Sequence, residues 1–221
     1  MYKTSSYRII ENCEDYYNRS EVSNSELSAL EAELSGKDPI GGDKQSAYRF
    51  GSLYDAILTE TFRVDFNRKT VDGIEAIPKE WDKAMLMRKS FLNDDFCRNV
   101  LSACQTQTVT VADVTLEFQG IEFTLPMRCK WDFFSEFIGA DLKSTIASSQ
   151  QQFLNVCDRF NYDRQCAVYM TIAGIDQMAL LGVSKQNHKV FKKFVKAGDD
   201  FHTRGMEKFV EIAYRYYTLF G

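Results

Sequence analysis

Apolar residues recur along this chain with two different periods, and the change of period marks its elements. Across residues 44–60, Ala47, Phe50, Leu53, Tyr54, Ile57 and Leu58 fall three or four apart, the stripe of a helix with one buried face, while Tyr48, Gly51, Ser52 and Asp55 lie on the other side. Upstream, Ser23-Asn-Ser-Glu26 reads as a capping box, with Ser23 starting a helix that runs through Leu27, Leu30 and Leu34. Residues 35–42 are rich in Gly, with a Pro, and read as a loop. Residues 1–22 show no clear period and read as an irregular arm. Residues 62–66 suit a short strand. Residues 79–103 suit a helical stretch carrying Trp81, Ala84, Met85, Arg88, Phe91 and Leu92, with a break at Asn93-Asp-Asp95.

Beyond that point the period becomes two. Residues 109–118 are β-branched and strand-like, Gln119-Gly120 is a turn, and Ile121, Phe123 and Leu125 alternate as a second strand. Met127, Cys129, Trp131 and Phe133 then alternate with Arg128, Lys130 and Asp132, which assigns Asp132 to the face opposite the apolar side chains. After a turn at Ser135-Glu136, the apolar run 137–142 ends with Asp141 and Lys143 on one face and Leu142 on the other. Residues 150–157 and 162–173 form two further helices, with Asn161 capping the second, on which Tyr162, Gln165 and Tyr169 share a face. Residues 178–184 read as a strand, and 201–220 as an aromatic amphipathic helix that packs on the core or on another subunit. The sum is a single domain over residues 1–221 of α/β (α+β) class, with a mixed, mostly antiparallel central sheet of about four strands flanked by helices.

Composition narrows the class. With 221 residues, 44% hydrophobic and 14% aromatic, the chain can bury one sizeable core. No apolar run is long enough to span a bilayer and the first residues lack the apolar stretch of a signal peptide, so a cytoplasmic location without a membrane partner is expected. The 6 cysteines form no C-x-x-C pair and have only 2 histidines for company, which points to buried reduced thiols rather than zinc ligands or disulfides. A net charge of −4 argues against a protein that coats nucleic acid non-specifically, but allows positive groups gathered in one cleft. Arg49, Arg128, Lys130, Lys143, Arg159, Arg164 and Lys185 are the candidates for that lining. No Walker motif, Rossmann fingerprint, H-E-x-x-H or G-x-S-x-G is present, which leaves ATP-driven, redox and serine-nucleophile chemistries without support.

If the strands around Ser135-Glu136 pair antiparallel, Asp132 and Asp141 converge with Lys143 beside them. Two adjacent carboxylates repel, and a bound divalent cation or a flanking positive charge keeps both ionised. Asp132 followed by Asp141-Leu142-Lys143 resembles the PD-(D/E)XK nuclease signature, although Trp131 stands where the signature has a proline. Gln165 and Tyr169, at i and i+4, resemble the Q-x-x-x-Y element of its RecB-like and lambda-exonuclease-like branch. Over residues 22–186 the chain is similar to phage and prophage exodeoxyribonuclease VIII (RecE-type) nucleases.

The resemblance implies a restriction-endonuclease-like core and a metal-dependent deoxyribonuclease, an exonuclease that degrades linear double-stranded DNA from its ends. Asp132, Asp141, the carbonyl of Leu142 and Asp55 would hold Mg²⁺ or Mn²⁺, and Lys143 would orient the attacking water or stabilise developing charge. Gly51-Ser-Leu-Tyr-Asp55 stands where RecE-like nucleases carry Gly-x-x-x-His, a departure that hard Mg²⁺ tolerates because it prefers oxygen ligands. Gln165 and Tyr169 would position the DNA strand, and Arg128, Lys130 and Ser144 would contact DNA, Ser144-Thr145 matching the family's Lys-Ser-Thr ending. Glu117 would lie near the site, as a glutamate on this strand does in related enzymes; an exposed strand residue is the equal alternative. Ser23 to Ser25 as a DNA contact competes with plain helix capping. The implied setting is phage-type recombination in a bacterial cell, with a single-strand annealing protein as partner and a homo-oligomer possible. Two other readings remain open: a catalytically inactive DNA-end-binding accessory protein, with Asp55 as its foothold, and a restriction-type endonuclease, from which the Gln-x-x-x-Tyr helix leans away.

Overall fold

A computed structural model describes residues 3–10, 16–36 and 43–221. In chain order, the N-terminal segment supplies β1 (Lys3–Thr4), β2 (Arg8–Ile10) and β3 (Val22–Ser23), then α1 (Asn24–Ser35) and α2 (Lys44–Thr59). A small sheet of β4 (Val64–Asp65), β5 (Thr70–Val71) and β6 (Ile74–Glu75) precedes α3 (Pro78–Asn93) and α4 (Asp95–Ala103). The central strands β7 (Gln105–Phe118), β8 (Ile121–Phe134) and β9 (Gly139–Thr145) follow, then α5 (Gln150–Arg159), α6 (Tyr162–Ala173), β10 (Gln177–Ser184), β11 (Val190–Lys196) and α7 (Asp200–Phe220). The result is a mixed α/β architecture whose 8-stranded main sheet runs β1-β7-β8-β9-β10-β11, with β2 also on β7 and β3 on β8. β9 and β10 are parallel, joined by the crossover through α5 and α6; the remaining pairings of the main sheet are antiparallel except for β3 with β8.

Local chemistry satisfies free N–H groups at the start of several helices, whereas Asn161, the expected cap of α6, takes a left-handed φ of 53° and makes no side-chain capping bond. Both bonds of the Ser23/Glu26 capping box are made, and α1 ends at Gly36, whose φ of 61° lies in the left-handed region. Asp43 caps α2, Pro78 opens α3, and Asp94, in the expected break, accepts from the Cys97 N–H to start α4. Leu27 and Leu30 are buried, whereas Leu34, expected on the same apolar face, is exposed near the end of α1.

Several expectations need correction. The arm over residues 1–22 is not wholly irregular, because its described parts extend the sheet on both β7 and β8. Residues 62–66 are not one strand: Thr61–Arg63 form a 3₁₀ turn and Val64–Asp65 begins the small sheet. Asp65 Oδ1 accepts from the N–H groups of Asn67 and Arg68 there, which turns the chain back after only two strand residues. β11 was not anticipated. Its alternation is interrupted by Lys192-Lys193, charges that suit an edge strand and discourage pairing with another chain. The loop reading of 35–42 lies mostly outside the described residues, as does Cys13.

Two apolar clusters cover the two faces of the sheet. One joins Leu27, Leu116, Met127, Trp131, Cys166, Val168 and Phe209, the other Phe50, Leu53, Ile57, Trp81, Phe91, Phe133 and Leu142. The simple alternation read for β8 fails between Trp131 and Phe133, which lie in different clusters, with Phe134 back beside Trp131. The cause is opposite them on β7. Thr108 pairs with Trp131 and Thr106 with Phe133, but Gln107 takes a left-handed φ of 54°, and no bridge joins Gln107 to Asp132. The ladder kinks there and hands the next side chain to the other face.

Candidate active site

The kink coincides with an opening between two strands. β8 pairs with β9 only through Phe133–Ala140 and Phe134–Gly139, while further along the same edge Met127 and Arg128 pair with β3. In the gap, the Asp132 side chain replaces a ladder bond: its Oδ2 accepts from the Leu142 N–H at 2.6 Å. The Gln107 amide donates both to Asp132 Oδ1 at 3.4 Å and to Thr59 Oγ1 at 2.9 Å, tying the kink to the end of α2. Gln107 was not singled out from the sequence, because nothing in its neighbours signals a left-handed residue inside a strand.

Asp141 is buried on β9. Its Oδ1 accepts from Gln165 Nε2 at 2.7 Å, and its Oδ2 lies 2.5 Å from Lys143 Nζ in an ion pair while making no hydrogen bond of acceptable geometry. Lys143 Nζ also stands 4.5 Å from the centre of the Tyr162 ring. Burial opposes the Lys143 charge, but Asp141, Tyr162 and Asp132 outweigh it and the ammonium is held above its usual range. Asp132 is pushed up to about 7 by burial and by Asp141, with the Leu142 N–H, Lys143 and Lys130 pulling it down. Asp55, half-buried on α2, is raised well above the carboxylate range by burial first and then by Asp132 and Asp141, with Lys143 partly offsetting them. Its carboxyl therefore shares the field of the other two, although it sits on a different element.

Tyr169 stands one helical turn from Gln165, with its ring edge-on to Trp131 at 5.0 Å and 71°. Burial raises its phenol well above the usual range, and Tyr16, Asp141 and other nearby groups add to the shift. Trp131, in place of the signature proline, donates its Nε1–H to Thr110 Oγ1 at 3.0 Å and covers Gly139, where an added Cβ would come within 2.0 Å of the indole. Lys130 is partly exposed two residues before Asp132. Ser144 is half-buried beside Lys143 and so points to the α2 side of β9, as Leu142 does.

Other expected contacts are not at the opening. Arg128 is buried, donates to the Arg19 carbonyl at 3.1 Å, pairs with Glu26 at 3.3 Å and lies over Tyr16, so it joins the arm to α1 instead of facing a phosphate. Arg164 is likewise buried and spent on Asn24, Ser28 and Glu31 of α1. Glu117 pairs with Glu122 near the turn of the β7–β8 hairpin, roughly 33 Å of strand from Gln107, which removes it from the site. Arg49 is paired with Glu80 at 2.7 Å, and Arg159 is exposed beside Phe160. Cys97, Cys104, Cys129, Cys157 and Cys166 are free thiols.

The donor set suits a hard divalent cation, since it consists of carboxylates and a backbone carbonyl, with Asp141 Oδ2 held by the Lys143 ammonium. Among the described residues, no three His, Cys, Asp or Glu side chains already converge as a metal cage. Lys143 supplies the positive charge that the Asp132–Asp141 pair requires.

Residues 13–219 match the family described as a PDDEXK-like domain of unknown function (DUF3799). The chain belongs to this family. No curated protein matches its sequence. Among solved structures, this PDDEXK-like protein is similar to a phage related exonuclease from Haemophilus somnus 129PT, with 12% identity, TM-score 0.39, and 94% of this chain and 87% of that one covered. The alkaline exonuclease LHK-Exo from Laribacter hongkongensis gives 10% identity, TM-score 0.36, and coverage of 90% and 91%. The protein SSO0001 gives 11% identity, TM-score 0.38, and coverage of 89% and 86%.

Proposed function

We propose that this PDDEXK-like protein is a divalent-metal-dependent deoxyribonuclease that degrades linear duplex DNA from its ends. The observation that carries the reading is the constellation in the β8–β9 opening, where Asp132 and Asp141 share one field and Lys143 is ion-paired to Asp141. Asp132, Asp141, the Leu142 carbonyl and Asp55 would hold Mg²⁺ or Mn²⁺. The chemistry that such an ion supplies when bound is Lewis acidity toward the scissile phosphate. Lys143 offers a fixed positive charge beside that phosphate, suited to stabilising negative charge as it develops. Gln165, by donating to Asp141, orients a ligand oxygen, and Tyr169 presents a phenol one turn further along the same helix. Such contacts are independent of base sequence, which supports attack on ends rather than at a recognition site. The resemblance to RecE-type nucleases supports a bacterial phage-recombination setting beside a single-strand annealing protein.

End-labelled linear duplex and covalently closed plasmid, each incubated with Mg²⁺ and with excess chelator, test this directly. Mg²⁺-dependent loss of the linear form with the closed circle intact is expected. Cleavage undiminished by chelator would overturn metal dependence, and linearisation of the circle at a comparable rate would make the protein an endonuclease. DNA-end binding without any cleavage would favour the inactive accessory protein.

A further inference from the structure

One neutral side chain at the opening reaches both elements that carry the carboxylates. Gln107 lies inside β7, and its left-handed backbone is a conformation that glycine or asparagine adopts more readily. A kink that served the sheet alone would be least strained with glycine there. Glutamine persists in such a conformation only where its surroundings hold it, and here the side chain is what they hold.

The end of α2 is docked on β7 by two successive residues. Thr106 Oγ1 donates to the Thr59 carbonyl at 3.0 Å, and the Gln107 amide donates to Thr59 Oγ1. Thr59 Oγ1 gives its own proton to the Asp55 carbonyl at 2.8 Å, so toward Gln107 it can only accept. An ionised Asp132 can also only accept. The amide nitrogen therefore faces both, and each of its two protons has a partner. A continuous path results: Asp132 Oδ1, the Gln107 amide, Thr59 Oγ1, the Asp55 carbonyl. Asp132 is held on both oxygens, Oδ1 by Gln107 and Oδ2 by the Leu142 N–H, with further lone pairs left over for a cation. An amide fixes the carboxylate without adding charge. A lysine or arginine in its place would compete with the cation, and an acid would repel Asp132.

We propose that Gln107 is a positioning residue for the metal ligands: its amide sets the Asp132 carboxylate and holds the turn of α2 that carries Asp55 against it, so that acids on two separate elements are presented to one cation. This deepens the nuclease reading above and rests on it.

Gln107→Gly keeps the left-handed backbone at less strain and removes only the amide. Gln119→Gly is the control, since Gln119 has a φ of 51° in the turn of the β7–β8 hairpin, away from the opening. Binding of Mn²⁺ to the full chain without DNA, read from the free-ion EPR signal, should weaken about 10- to 100-fold in Gln107→Gly, the usual scale for losing a partner of a metal ligand. It should stay unchanged in Gln119→Gly. In chelator, the Leu142 amide should exchange its hydrogen faster in Gln107→Gly, while amides of the β10–β11 ladder keep wild-type protection. The cleavage rate lost at low Mg²⁺ should recover as Mg²⁺ is raised, whereas a partly unfolded variant loses rate at every concentration. Thr59→Val, which removes the second acceptor, should weaken Mn²⁺ binding and add nothing to the loss in Gln107→Gly. Should the glycine variant fold poorly, Gln107→Met, of similar length without the donors, carries the same comparisons. Wild-type Mn²⁺ affinity or unchanged Leu142 exchange in the Gln107 variants, an equal loss in Gln119→Gly, or full additivity with Thr59→Val would overturn the positioning role and leave the nuclease reading intact. A wild type that neither binds Mn²⁺ nor cuts DNA would remove the nuclease reading first, and this role with it.

Discussion

Asp132 serves two purposes at the scale of single residues: its carboxyl closes the gap to the Leu142 N–H and faces Asp141. With its folded-state value pushed up to about 7, the unfolded chain ionises this group first as pH rises. Its contribution to stability is therefore complete below about pH 4 and is lost as pH climbs through about 7. In chelator, denaturant midpoints should fall over that interval, and Asp132→Asn should flatten the fall; a wild-type profile as flat as the variant's would refute the linkage. Lys143→Ala should slow the chemical step by at least about 10²-fold, the scale of losing one transition-state stabiliser, while binding of duplex in Ca²⁺ persists. Single-turnover rates near wild type would show that the Asp-x-Lys pairing is not catalytic. Asp55→Ala should raise the Mg²⁺ concentration needed for half-maximal activity, with Asp55→His partly restoring it; an unchanged requirement would return Asp55 to a purely structural role.

Between elements, α7 comes close to α6 at Gly205. A Cβ added at Gly205 would come within 2.1 Å of the Asp163 carbonyl oxygen, and a backbone atom cannot rotate aside as a side chain can. The helices also share the Lys208–Asp163 ion pair at 2.7 Å, so they are fixed in register. Gly205→Ala should destabilise the fold by about 1–3 kcal/mol, the usual scale of overpacking, measured as a lower urea midpoint. No change in midpoint would mean that α7 can slide. Here the sequence shows a helix with a glycine in it and no sign of the partner surface; α7 packs on the core, which settles one of the two options that its aromatic stripe left open.

Across the whole molecule, the opening lies where the two apolar clusters meet, with Trp131 on one side and Phe133 on the other. A cation that ties Asp132 and Asp141 to Asp55 would couple the sheet to α2. Mg²⁺ should then raise the unfolding temperature by mass action, with the logarithm of one plus its concentration over its dissociation constant. The rise should disappear in an Asp132→Ala, Asp141→Ala double variant; an equal rise there would place the stabilising ion elsewhere. The net charge of −4 coexists with the Lys143 ammonium at the opening, so any attraction for DNA would be local and strongly screened by salt.

The sequence by itself determined the order of the principal elements, the capping box of α1, the break before α4, and the pair of strands that carries Asp132 and Asp141. These follow from period, capping chemistry and turn residues, all of which act over a few positions. The short N-terminal strands and the small β4–β6 sheet were not legible, because strands of two or three residues have too little period to register and depend on a neighbour's free edge, and the longer edge strand β11 was hidden because Lys192-Lys193 breaks its alternation. The carboxylates and Lys143 were legible as chemistry; their surroundings were not. Gln107 acquires its place from a kink opposite Asp132, and Arg128 and Arg164 are withdrawn from any DNA-facing surface by partners more than a hundred residues away in sequence, at Arg19 and on α1. A long cationic side chain reads the same from sequence whether it meets solvent or a buried acid, and only the tertiary structure decides which.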